Sequence, residues 1–128
     1  MNANKLIRKA NKGQAIAQYK LGYMYSNGKG VEQSYEQAVC WFRKSAEQGN
    51  ALAQCNLGSC YYYGEGVEQS YEQAVYWYKK AADQGTIGAQ YSFGVCYANG
   101  EGIEQDLSQA VYYCRKAAKK VILMQCAL

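Results

Sequence analysis

Small and apolar residues recur along this chain at a fixed step of thirty-six positions. Gly22, Tyr25, Gly28, Gly30 and Val31 return as Gly58, Tyr61, Gly64, Gly66 and Val67, and again as Gly94, Tyr97, Gly100, Gly102 and Ile103. Ala38, Val39, Trp41 and Ala46 return as Ala74, Val75, Trp77 and Ala82, then as Ala110, Val111, Tyr113 and Ala118. Between these marks the apolar residues keep a helical spacing. The pattern predicts a first helix in each unit over 15–27, 51–63 and 87–99, and a second over 34–48, 70–84 and 106–119. A period of this size marks a repeat array, in which each unit buries its apolar face only against its neighbours. The expected fold class is all-α, an α-solenoid of three antiparallel helix-pair repeats over 13–48, 49–84 and 85–120. A short cap helix at 1–12 and an apolar tail at 121–128 complete one solenoid domain.

The punctuation between helices has its own chemistry. Gly28, Gly64 and Gly100 stop the first helices, and Gly13, Gly49 and Gly85 close the second ones, because glycine accepts the left-handed backbone at a helix end. Asn50 and Thr86 are expected N-caps, and Ser34 with Gln37, Ser70 with Gln73 and Asp106 with Gln109 have capping-box spacing. The Gly-x-Gly loops read as turns. A phosphate loop needs a strand before it and a Lys-Ser/Thr after it, and neither is present. The third unit has Val121 where the earlier ones have glycine, so its helix can continue. The apolar run Val121, Ile122, Leu123 and Met124 is expected to fold back over the open end, with contact to another chain as the alternative.

Comparing the three units position by position separates two faces of the first helix, at about 100° per residue. One arc is fixed: Ala17, Gln18, Leu21, Gly22 and Tyr25 recur, with Phe93 at the Leu21 position of the third unit. The opposite arc changes freely, and carries Tyr19, Lys20, Tyr23 and Asn27, then Asn56, Ser59, Tyr62 and Tyr63, then Tyr91, Ser92, Val95 and Asn99. A tolerant solvent face explains such freedom. A docking surface explains it as well, together with the tyrosines, which offer contact area and a hydroxyl at low entropy cost. On the second helix, Tyr35, Ala38, Val39, Phe42 and Ala46 form the expected core stripe, with Trp41, Trp77 and Tyr113 as wedges at its edge. Glu36, Arg43, Lys44 and Glu47 are expected to face water.

Composition then removes function classes. The net charge is +4, and residues 1–30 carry Lys5, Arg8, Lys9, Lys12, Lys20 and Lys29 without an acid. No aromatic-and-basic nucleic-acid motif accompanies them, so they read as a solvated helix end and no specific nucleic-acid partner is expected. No apolar run reaches 18 residues and 1–12 lacks an apolar signal core, so no membrane span or secretory leader is expected. Of six cysteines only Cys60 and Cys96 are equivalent; there is no C-x-x-C and no histidine. A disulfide framework would recur with the repeat, so buried, reduced thiols and a cytoplasmic location are expected, with non-classical secretion as the alternative. No metal or cofactor is expected. Without histidine, and with carboxylates in loops and on outward faces, no acid–base constellation forms, and Cys55 lacks a base to activate it.

The run Ala17-Gln18-Tyr19-x-Leu21-Gly22-x-x-Tyr25-x-x-Gly28-x-Gly30-Val31, followed by Ala38-x-x-Trp41 and Lys44-x-Ala46, resembles the Sel-one-like repeat family, a relative of the tetratricopeptide repeats, and the match recurs three times over 13–120. The resemblance implies a right-handed superhelix of helix pairs whose first helices line a concave, protein-binding side. Members act as adaptors in signalling, in endoplasmic-reticulum-associated degradation and in bacterial contact with host cells. The expected function is therefore a non-catalytic scaffold that binds a peptide or protein segment. One branch of the family is secreted, carries one disulfide per repeat and binds penicillin. It places cysteines near the positions of Gln18 and Ala46 in this chain, and the departure argues against that branch and its secreted, disulfide-bonded state. The alternatives are a small cell-wall or β-lactam-binding, enzyme-like repeat protein and a structural or engineered array without a specific ligand, and the tail offers a route to self-association.

Overall fold

A computed structural model describes residues 3–126; Met1 and Asn2 of the expected cap, and Ala127 and Leu128 of the expected tail, lie outside the described residues. The described residues form seven helices: α1 (Ala3–Asn11), α2 (Ala15–Asn27), α3 (Tyr35–Glu47), α4 (Ala51–Tyr63), α5 (Tyr71–Asp83), α6 (Ile87–Asn99) and α7 (Leu107–Cys126). Extensive packing runs only between helices consecutive in the chain, as in a solenoid.

The core is built across the repeats. Val39, Phe42 and Ala46 of α3 pack with Ala53, Leu57 and Cys60 of α4. One step on, Val75, Tyr78 and Ala82 of α5 pack with Ala89, Phe93 and Cys96 of α6. Leu6 and Ala10 make α1 a truncated second helix that covers Ala17 and Leu21. Within a repeat, glycine lets the pair close up: a Cβ on Gly58 would stand 2.8 Å from the Tyr78 ring. Between repeats the loop does the same. Gly66 (φ 77°) lies against the Tyr35 carbonyl, and Gly102 (φ 73°) against that of Tyr71, so each loop rests on the start of the preceding second helix.

Buried glutamines lock the repeat joints. Gln18, Gln54 and Gln90 are at most 5% exposed, and each donates to a carbonyl of the preceding second helix, Ala10, Ala46 and Ala82 respectively. Gln48 Nε2 donates to Gln18 Oε1 (2.7 Å) and to the Gly13 carbonyl (2.9 Å). Gln84 Nε2 repeats this with Gln54 Oε1 and the Gly49 carbonyl, both at 2.9 Å. The third unit has Lys120 at that position. Its ammonium donates to the Gly85 carbonyl, and Gln90 Oε1 is left buried without a partner.

Several expectations need correction. Thr86 makes no side-chain cap, whereas Asn50 Oδ1 accepts from the Ala53 amide at 2.9 Å. Ser34 and Ser70 cap as expected, but the return half of the capping box is pre-empted: their own amides donate to Tyr25 and Tyr61 carbonyls of the first helix. Residues 121–126 do not fold back. With no glycine at 121, α7 runs on, and Val121, Ile122, Leu123 and Met124 are 41–60% exposed. Arg43 does not simply face water; its guanidinium bonds the Tyr61 hydroxyl and lies 5.4 Å from that ring's centre. Tyr35 leaves the core stripe for the surface, since it opens its helix beside the next loop. Cys60 and Cys96 are buried thiols, but Cys40 is exposed.

Candidate functional site

The twelve residues of the variable arc all lie on α2, α4 and α6, and none is buried. Eleven border three depressions that follow one another along the first helices. Tyr19, Lys20 and Tyr23 line the first, of about 380 Å³, with Lys29. Tyr23, Asn27, Asn56 and Ser59 line the second, of about 270 Å³, with Tyr35, Phe42 and Glu65. Tyr62, Tyr63, Tyr91, Ser92 and Val95 line the third, of about 90 Å³, with Tyr78. Tyr23 joins the first depression to the second, and the Ser59–Tyr78 hydroxyl pair (2.9 Å) joins the second to the third. Asn99 lines none of the three, and its amide donates to Glu101 Oε1 at 3.2 Å. Drug-sized ligands occupy roughly 300–1,000 Å³. The first depression falls within that range, and the second and third fall below it.

Not every arc residue is free to read a ligand. Ser59 is committed to Tyr78, a buried hydroxyl whose pKa is raised by burial. Tyr62 donates to Glu101 Oε1 at 2.7 Å, and that hydrogen bond to a carboxylate holds its proton tightly. Tyr63 (69%), Tyr91 (59%) and Tyr23 (47%) are the open rings.

Sequence reasoning missed the carboxylates of the loops. Glu65 lines the second depression and its charge raises the Tyr35 hydroxyl; Glu101 does the same to Tyr71. The signal was present in the central residue of the Gly-x-Gly loops, which is Lys29 in the first unit and Glu65 and Glu101 in the others. The groove therefore runs from Lys20 and Lys29 at one end to Glu101 at the other.

Burial pushes the Cys55, Cys60 and Cys96 thiols up to about 11, so they stay protonated and weakly nucleophilic at neutral pH. Among the described residues, no three His, Cys, Asp or Glu side chains gather as metal ligands, and no helix is long and apolar enough to cross a membrane.

A family model of the Sel1 repeat matches residues 15–50, 51–86 and 87–120. The fold is similar to a Sel1 repeat protein from Oxalobacter formigenes, with TM-score 0.89 and 36% identity over 94% of this chain and 92% of that one. It is also similar to a protective antigen of uropathogenic Escherichia coli displaying an SLR fold, with TM-score 0.75 and 33% identity over 94% of this chain and 33% of the other. Cysteine rich protein B of Helicobacter pylori shares the fold at 19% identity, TM-score 0.70, with 90% and 87% covered. Chitin synthase regulator SKT5 of Saccharomyces cerevisiae is 45% identical over 40 residues, which is 31% of this chain; the match spans only 6% of that protein's length.

Proposed function

The chain belongs to the Sel1 repeat family, whose repeats generally form non-enzymatic scaffolds for protein–protein interaction, and from that premise we propose that it holds an extended segment of a partner protein along α2, α4 and α6. The observation that carries this reading is the continuity of the three depressions, all bordered by residues that differ between otherwise matching repeats. Positions dictated by packing stay constant, and positions that read a partner are free to change. Open tyrosines at successive hollows suit anchors of modest affinity. The test uses peptides selected from a displayed random library on the wild-type chain. Tyr23→Asp with Tyr63→Asp is expected to weaken the selected peptides more than tenfold while the melting temperature stays within a few degrees. Unchanged binding by the folded variant would sink the proposal.

We propose in addition that α7 pairs with a second copy of the chain. Val39 and Ala46 on α3 are covered by α4, and Val75 and Ala82 on α5 by α6. The same positions on α7, Val111 and Ala118, are exposed, and the apolar stripe continues through Val121 and Ile122. Light scattering is expected to give a dimer for the wild type and a monomer for Val111→Lys with Ile122→Lys. A monomeric wild type at high concentration would rule this out.

A further inference from the structure

We propose that the third depression is a socket for a cationic side chain, a lysine or arginine of the docked segment; this rests on the docking reading above and assigns the chemistry of one anchor. Tyr62, Tyr63, Tyr78 and Tyr91 line a hollow of about 90 Å³, enough for the end of one side chain. The Tyr62 ring lies 4.9 Å from Tyr63 and 6.4 Å from Tyr78, centre to centre, so the rings form a cluster rather than scattered neighbours. Tyrosine faces attract cations through the ring quadrupole.

This chain already uses that attraction where its own cations reach a ring. Lys44 lies 4.6 Å from the Trp41 centre, Lys80 5.1 Å from Tyr76 and Lys116 5.1 Å from Tyr112. Among the described residues, no lysine or arginine lines the socket. Behind it stands a negative charge: Glu101 accepts from Tyr62 and from Asn99. An acceptor carboxylate on a phenol makes the ring more electron-rich, which favours a cation at its face. The charge along the groove disfavours the first depression, and although Glu65 borders the second, the cluster of ring faces with Glu101 behind it singles out the third. Lys20 and Lys29 repel it from the first depression, and Glu101 draws it to the third. An apolar anchor would gain nothing from this gradient, and an anionic one would be repelled by Glu101.

The test is a chemical-shift titration of the intact chain with n-butylammonium and n-butylguanidinium chloride, beside butanol and sodium butyrate at matched ionic strength. Both cations are expected to shift the Tyr63 and Tyr91 ring resonances saturably, and the neutral and anionic probes are not. Tyr63→Leu, at an exposed position, is expected to weaken cation binding about two- to thirtyfold, and Tyr63→Phe, which keeps the ring, to retain it. Glu101→Gln is expected to weaken it as well. Butanol acting as strongly as the cations, no saturable cation shift, or full binding by Tyr63→Leu would each overturn the socket. Selected peptides that still map to the first helices in that event leave the docking reading intact. Peptides that map elsewhere while the cations bind would instead remove the docking reading and leave the socket standing.

Discussion

Replacing Gln84 by lysine transplants the third repeat's joint into the second. In the wild type, Gln84 Nε2 donates to both the Gly49 carbonyl and Gln54 Oε1. A lysine at this position can reproduce the first bond, as Lys120 does to Gly85, but the arrangement around Gln90 shows the second acceptor being left unpaired. Gln54 is 5% exposed, so bulk solvent reaches it poorly. A buried acceptor without a partner costs about 1–3 kcal/mol. Helix propensity contributes little, since glutamine and lysine are close on that scale. A loss of about 2 kcal/mol is expected, and for a chain of this size roughly 3–5 °C of melting temperature per kcal/mol. Urea unfolding of Gln84→Lys, Gln54→Met and the double variant isolates the pair. With methionine in place of Gln54 there is no acceptor to strand, so Gln84→Lys is expected to cost much less in that background, a coupling of about 1 kcal/mol or more. A coupling near zero refutes the claim that these glutamines lock the joints.

Other outcomes follow from the same contacts. Gly66→Ala is expected to destabilise by at least about 2 kcal/mol more than Gly30→Ala. Both glycines have positive φ, but a Cβ at Gly66 meets the Tyr35 backbone, whereas at Gly30 it meets only the Met24 methyl at 3.2 Å. Ser59→Ala is expected to cost about 1 kcal/mol by removing a partner of the Tyr78 hydroxyl, and Tyr78→Phe in the same chain to recover part of it; chemical denaturation of the single and double variants decides. Stability is expected to fall as pH rises from about 9 to about 11. Burial raises the Cys55, Cys60 and Cys96 thiols from 9.0 to about 11, so over that window the unfolded chain releases protons that the folded chain retains. A flat stability profile across that range contradicts the burial of these thiols.

The helix pairs were legible because glycine and alanine positions recur wherever two helices must approach, and close packing leaves such positions no freedom. Helix ends were legible where a serine or asparagine caps them and less so at Thr86, where helix entry does not need the side chain. Contacts between repeats were hidden. A wheel places Arg43 and Tyr35 around one helix axis, but the Tyr61 hydroxyl and the Glu65 loop that engage them arrive from the next unit. For the same reason Glu65 and Glu101 looked like turn residues and Ser59 looked free. The tail was misread because an apolar run says only that it seeks cover, whereas continuing a helix needs nothing more than the absence of a stop.

The most direct test of the docking claim is a backbone amide chemical-shift map of the labelled chain with a library-selected peptide. The account expects shifts concentrated along α2, α4 and α6, around Tyr19, Tyr23, Asn27, Asn56, Tyr63 and Tyr91. Shifts centred instead on the outward residues of α3 and α5, such as Glu36, Cys40, Tyr76 and Lys80, would contradict it.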